Sequence, residues 1–542
     1  MPVARAGEPD MTGMVTAPPR RPVVAGPKMP ARLRGRAFPA ALVAVSLWAA
    51  VQNLANLAVP RHLVDELVYV TAGWRYLHGQ QLPLGPAAEF TVDNFEHPPL
   101  VKYLFGIAQV IAGHPSLTAA RLVAAACTLA TGVVLGCWIG RVAGRWTGLL
   151  AGALITLVPT HIPGVEYRFG RYAMLDPVAE LFAVGAVAAG WFWFQRRGRA
   201  GWRWAASAGV LAGLAAGAKA NGFLGLVGPV LLGLVLVLRE RRELIDRLAQ
   251  TVAAGALSAL TFVALYLPLG NPLPRIRFLL EYQLKHVEDG HLIGFAGRVT
   301  AHPPWWANLW FAGHGLGSVV VGVLVIGWVA ALVLRRDRLV GWCAAALVAP
   351  VLFHCFLARV VLGFYWAMWL PAAIAAAALG LAALARRSRA APRGVRSGAA
   401  ALLIGALTWT AGLAAADTWR TLHARPVGTA HLPKVMALHH LRGEVLAGGL
   451  YNWEFTGVPL PGAVLYQVPA DLSRVDTVVI GRPRCRTPVA ADVRAFLTAN
   501  RGALRPVYRD HLIVVHAVRA RLRAPTAAEI AAQPPWNLAA HC

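Results

Sequence analysis

The chain has 542 residues, 57% of them apolar and only 14% charged, with a formal net charge of +27. Its mean hydropathy of +0.53 excludes a soluble globular protein and indicates a chain that crosses a membrane several times. The positive charge does not point to nucleic acid, because many arginines sit in short clusters between apolar runs, as the positive-inside rule expects of cytoplasmic connections.

Residues 1–36 are rich in Pro, Arg and Ala without apolar periodicity and read as a disordered basic tail. Arg20, Arg21, Lys28, Arg32, Arg34 and Arg36 put that tail on the cytoplasmic side of a retained first span, residues 37–59. A helix needs about 20 apolar residues to cross the hydrocarbon. Further spans are expected at 119–140, 146–162, 174–194, 204–220, 221–238, 249–268, 316–334, 339–357, 364–384 and 398–416, eleven in all. The stretch 99–113 is shorter, and Lys102, Gly106, Gln109 and Gly113 mark a narrow polar stripe on it. It reads as a helix lying in the interface.

That count places the arginine-rich connections 141–145, 196–203, 239–247, 335–338 and 386–396 together on the inner side. The segments 60–118, 163–173, 269–315 and everything from 417 onward then share the outer side. Beyond 417, strand-like runs (Asp476–Ile480, His511–Val515) alternate with a helix-like one (Ala490–Ala499), the pattern of a small α/β domain. The fold expected is mainly α: a polytopic membrane helix bundle with interfacial helices on its outer face and a C-terminal α/β extracytoplasmic domain.

Cys127, Cys137, Cys343 and Cys355 lie in apolar runs and read as packing residues. Cys485 and Cys542 lie in the C-terminal part, where an extracytoplasmic disulfide is open to them. No Cys/His metal spacing occurs. The carboxylates and histidine near the first span could bind a divalent metal, but they form no compelling ligand set.

The outer segments concentrate the ionisable residues. Asp65 and Glu66 follow the first span. They can be solvated interface carboxylates, or a general base at the membrane surface. Glu96-His97-Pro98-Pro99 suits a helix start, which leaves His97 and Lys102 unexplained. Arg121 opens the next span and can snorkel or hold a lipid phosphate. Asp176-Pro177 reads as an N-cap with proline in the first turn, while Arg168 and Arg171 lie on the outer side against the charge rule. Lys219 and Asn221 sit at a tight corner between two spans, and His302 with Trp305 in a long outer loop. Aromatic anchoring and sugar stacking both suit that tryptophan.

This ordered set resembles the GT-C glycosyltransferases of the protein O-mannosyltransferase and aminoarabinose-transferase superfamily, which use polyprenyl-phosphate sugars. The matching elements are Asp65-Glu66, His97 to Lys102, Arg121, Arg171 to Asp176, and Gly213 to Gly222. The resemblance is firm over 37–270 and loose to 416. It implies that Asp65 takes the proton from an acceptor hydroxyl, which attacks the anomeric carbon with inversion, while Glu66 orients the substrates. It further implies that Arg121, Lys219 and Arg171 hold the lipid phosphate, with His97, Lys102, Asp176, Asn221, His302 and Trp305 as substrate-binding candidates. The implied partners are a polyprenyl-phosphate sugar donor, mannose-type by preference, and an acceptor that is a protein or an envelope glycan or lipid. No repeated luminal module stands in the central loop, which leaves the acceptor class open. A membrane transporter would place ionisable residues at mid-membrane in broken helices. A non-catalytic envelope scaffold would leave Asp65 and Lys219 without a role.

Overall fold

The computed structural model describes residues 31–535 apart from 61–62, 81–92, 163–166, 241–243, 297, 359, 391, 451, 456–457 and 483–488. Cys485 and Cys542, and the tail up to residue 30, lie outside the described residues. Two compact units divide the chain: Met1–Ala44, of which the described part is helix, and Val45–Cys542, which holds the other elements. The first helix, α1, is Ala31–Leu54. The last residues of the expected tail are therefore already helical.

The segment after it carries α2 (Val64–Leu77) and α3 (Leu100–Ala112). The bundle continues with α4 (Leu117–Ala143), α5 (Arg145–Leu157), α6 (Asp176–Gln195), α7 (Gly198–Ala218), α8 (Leu224–Glu240) and α9 (Leu244–Ala264). The next connecting segment holds α10 (Pro272–Asp289), the hairpin β1 (Ile293–Phe295) and β2 (Arg298–Thr300), and α11 (Ala307–Leu316). Then come α12 (Ser318–Ala330), α13 (Arg338–Leu352), α14 (Leu370–Arg389) and α15 (Arg393–Leu422). Both α12 and α13 loosen into a π-helical turn at their C-terminal ends.

A helix stands at each of the eleven expected spans, and among the described residues eight helices are long and apolar enough to cross a membrane. The other three differ for visible reasons. α5 and α8 are short, and α7 opens on Arg199 and Arg203. α14 is the central helix, with Ala375–Leu379 fully buried, whereas α1, α9 and α15 show most of their apolar side chains outward.

The stripe on α3 faces inward. Lys102, Gly106 and Gln109 are buried against α2, where Gln109 Nε2 donates to Val70 O at 2.9 Å. The exposed face is apolar instead, with Ile111 81% exposed. The polar stripe is the seam of a helix pair, and α3 turns its apolar side outward. The seam is very close. A Cβ on Gly73 would lie 2.4 Å from Lys102 O, and one on Gly106 2.3 Å from Gly73 O. Only glycine lets the two backbones meet.

After α15 the chain forms α16 (Leu432–Leu438), β3 (Glu444–Gly448), β4 (Val464–Leu465), β5 (Val475–Gly481), α17 (Ala491–Ala499), β6 (Leu504–Arg509), β7 (Ile513–Val518) and α18 (Ala527–Ala531). The five strands form one mixed sheet in the order β4-β3-β5-β7-β6. β3 pairs parallel with β4 and β5, while β7 pairs antiparallel with β5 and β6. Alternate residues of β7 (Ile513, Val515, Ala517) are buried, as a strand with one core face requires. The last span runs six residues past the expected 416, so the α/β part begins after Leu422.

Candidate active site

Asp65 and Glu66 are neighbours on the first turn of α2, yet their surroundings differ completely. Both Glu66 oxygens are occupied. Oε2 accepts from Leu63 N at 3.0 Å, closing the N-terminus of α2, and Oε1 accepts from Ala173 N at 2.7 Å. Arg121 grips the same carboxylate from α4 with two bonds, Nε to Oε1 at 2.8 Å and Nη2 to Oε2 at 2.7 Å. Its Nη1 donates to Leu57 O and Pro60 O, both at 2.9 Å. Both side chains are fully buried. The geometry therefore corrects two expectations: Glu66 presents no free oxygen to a substrate, and the Arg121 fork is closed inside the protein, away from any lipid phosphate.

Arg171 and Arg168 behave in the same way. Arg171 donates to Gln52 O at 3.0 Å and to Ala55 O, at the end of α1. Arg168 donates to Ile155 O and Thr156 O, at the end of α5. The last carbonyls of a helix have no intrahelical donor, and its C-terminus favours positive charge. The two arginines expected on the outer side against the charge rule thus terminate two helices. Each is about 2% exposed or less, so Arg171 offers no fork to a lipid phosphate.

Asp65 is different. Among the described residues no hydrogen bond or ion pair reaches its carboxylate, and the residue stays partly exposed. Burial, then the neighbouring Asp176, pushes its pKa up to about 6, against the pull of Lys219. A carboxylate in that range is ionised at neutral pH and still basic enough to take a proton.

Across from it, Lys219 at the end of α7 donates to Asp176 Oδ1 at 2.6 Å. The expected N-cap is absent: Asp176 opens α6, but its carboxylate turns to Lys219. The Lys219 ammonium lies 4.6 Å from the centre of the Tyr365 ring and 5.2 Å from that of Phe364. Tyr69, one turn after Asp65, is within electrostatic reach of Asp65, Asp176, Tyr365 and Glu96. Burial holds its phenol protonated.

His97 packs edge-on to Tyr69 at 5.6 Å. Burial, with Lys102, Lys219 and His286 nearby, drives its pKa well below the usual value, so the imidazole is neutral. Lys102 is fully buried and donates to Asn94 O, to Asn94 Oδ1 at 3.3 Å and to His97 O at 2.7 Å. It pins the loop that carries His97 and has no face toward a substrate, which corrects its expected role.

Asn221 Nδ2 stands 3.3 Å from His354 Nε2, and the His354 ring lies 4.9 Å from that of Tyr365. His302 and Trp305 stay apart from this group. Both are exposed, and Trp305 stacks on Phe356 at 5.3 Å. The structure thus brings together Asp65, Asp176, Lys219, His97 and Asn221, and adds Tyr69, Tyr365 and His354. His354 was visible as an ionisable residue inside an apolar run. The two tyrosines carried no sequence signal beyond their aromatic character. Among the described residues, no three His, Cys, Asp or Glu side chains are grouped to hold a metal ion.

Residues 96–266 match the family model described as dolichyl-phosphate-mannose-protein mannosyltransferase. No curated protein matches the chain. Among solved structures, ArnT from Cupriavidus metallidurans bound to undecaprenyl phosphate is similar, with a TM-score of 0.54 and 16% identity over 92% of this chain and 100% of that one. The oligosaccharyltransferase of Archaeoglobus fulgidus in its apo form has a TM-score of 0.54 at 13% identity, over 85% of this chain and 71% of that one. The same enzyme tethered to an acceptor peptide containing the NVT sequon has a TM-score of 0.50 at 12% identity, over 87% and 71%. The chain thus shares the fold of these membrane glycosyltransferase structures, and its residues 96–266 are similar to a mannosyltransferase family model.

Proposed function

We propose that this GT-C glycosyltransferase moves a sugar from a polyprenyl-phosphate donor to an acceptor hydroxyl at the outer face of the membrane, with inversion. The observation that carries this reading is the unpartnered Asp65 carboxylate beside the Lys219–Asp176 pair. Asp65 takes the proton of the acceptor hydroxyl. The oxygen forms a bond to the anomeric carbon as the bond from that carbon to the phosphate oxygen breaks, and the electron pair leaves with the polyprenyl phosphate. Lys219 stands where negative charge grows on the leaving phosphate, and a fixed cation there lowers the barrier. Asp176 orients that cation. His97 and Tyr69, both uncharged, contact substrate through hydrogen bonds, and Asn221 borders the same space.

A mannose-type donor fits the family model matched by residues 96–266, and the ArnT likeness supports a polyprenyl carrier. The acceptor is a protein Ser/Thr or an envelope glycan or lipid. The arginine clusters support a plasma-membrane protein with a cytoplasmic N-terminus and the α/β domain outside.

The test is transfer by the purified full chain, supplied with radiolabelled polyprenyl-phosphate mannose or aminoarabinose and with envelope acceptors. Label reaching an acceptor hydroxyl with an inverted anomeric centre is the expected result. Transfer from nucleotide sugars in place of lipid-linked ones would overturn the reading. Labelling of Cys542 from the cytoplasmic side alone would overturn the orientation.

A further inference from the structure

A second site lies at the far end of α15, where the last span meets the α/β domain. A cleft of about 720 Å³ opens there, within the roughly 300–1,000 Å³ typical of ligand sites. Arg420 and Arg425 line it, with His161, His423 and His511, and among the described residues no carboxylate does. Asp417 lies beneath: it is fully buried, accepts from Gln52 Nε2 at 2.8 Å, and stands 3.5 Å from His161 and 3.6 Å from Arg420. The Arg420 side chain remains 56% exposed. The wall opposite α15 is the turn after Val427, tied down by Gly428 N donating to Asp510 Oδ2 at 2.6 Å.

Depth identifies the occupant. The cleft begins at the last turn of an apolar span, and Trp419 there is 65% exposed with its ring 3.7 Å from that of His423. Exposed tryptophan at a span's end marks the headgroup layer. Below it the outward side of α15 is apolar, with Leu402, Ile404 and Trp409 all more than half exposed. Two guanidiniums at headgroup depth above an apolar track match one phosphate carrying acyl chains.

We propose that this cleft binds the headgroup of an anionic phospholipid, whose chains lie along α15, and so fastens the α/β domain to the membrane surface. Sugar transfer is not a premise of this proposal. It is tested by thermal unfolding of the full chain in neutral detergent with added phosphatidylglycerol, phosphatidylcholine or glycerol 3-phosphate. Phosphatidylglycerol is expected to raise Tm saturably, and phosphatidylcholine is not. Arg420→Gln with Arg425→Gln is expected to weaken the phosphatidylglycerol effect by about 10- to 30-fold in apparent affinity. Both arginines are exposed, so the pair should fold, and the corresponding lysine pair should restore binding. Arg386→Gln with Arg387→Gln, in the last turn of α14 and outside the cleft, should leave it unchanged. Wild-type affinity in the Arg420/Arg425 glutamine variant would overturn the proposal, as would a glycerol 3-phosphate response as strong as that of the lipid.

Discussion

Two charged regions share one end of this bundle, and they use the same residue types for opposite purposes. In one, Glu66, Arg121, Arg168 and Arg171 are buried, and most of their polar atoms bond to each other or to backbone groups, chiefly carbonyls at the ends of α1 and α5. In the other, Asp65 has no such partner among the described residues, and Lys219 has one carboxylate and two aromatic faces. The first region is a joint and the second is the proposed site. One residue along the chain separates them, so neither charge nor position distinguishes joint from site; the unmet bonding capacity does.

The widest break in this comparison comes from Asp65→Asn. Loss of a general base costs about 10²- to 10⁴-fold, so transfer should fall by that much while Tm stays at the wild-type value. Unchanged turnover in Asp65→Asn would remove it as the base. Glu66→Ala should do the reverse. It leaves a buried guanidinium without its counter-charge, a loss of about 3–5 kcal/mol, seen as lower Tm and poor yield. A Glu66→Ala protein of normal Tm and no activity would place Glu66 in the site instead.

A smaller effect is expected of Lys219→Met: a loss of roughly 10²-fold in kcat/KM, concentrated in donor use. pH sharpens the contrast further. The base must be ionised, so kcat/KM should fall tenfold per unit of pH below about 6, the raised Asp65 value. Lys219 lowers that value and Asp176 raises it. The inflection should therefore move up in Lys219→Met and down in Asp176→Asn, measured in whatever activity remains. Least affected should be Trp305→Ala, with a change under about twofold, because that ring packs on Phe356 away from the site.

Apolar length and arginine clustering made the bundle legible, since burial in lipid imposes both directly. Asp65 and Lys219 were legible as charges with no lipid-facing excuse. The arginines misled because sequence shows a cation without showing its acceptors. Arg171 and Arg168 bond to carbonyls that lie 119 and 12–13 residues away in the chain. Lys102 misled for a similar reason: its acceptors belong to a loop that folds back over it. Tyr365 and His354 come from the far half of the bundle, and only packing brings them to Lys219 and Asn221.

The seam between Gly73 and Gly106 carries a mechanical consequence. With no side chain between the two backbones, a Cβ on either glycine would act as a wedge that levers α2 and α3 apart. Asp65 lies eight residues from Gly73, about 12 Å along the helix. Any wedge at the fulcrum would swing the base at its tip. A displacement of about 1 Å at a reacting group can cost on the order of 10²-fold in rate. The smallest residues in the segment thus bear on the position of the proposed base.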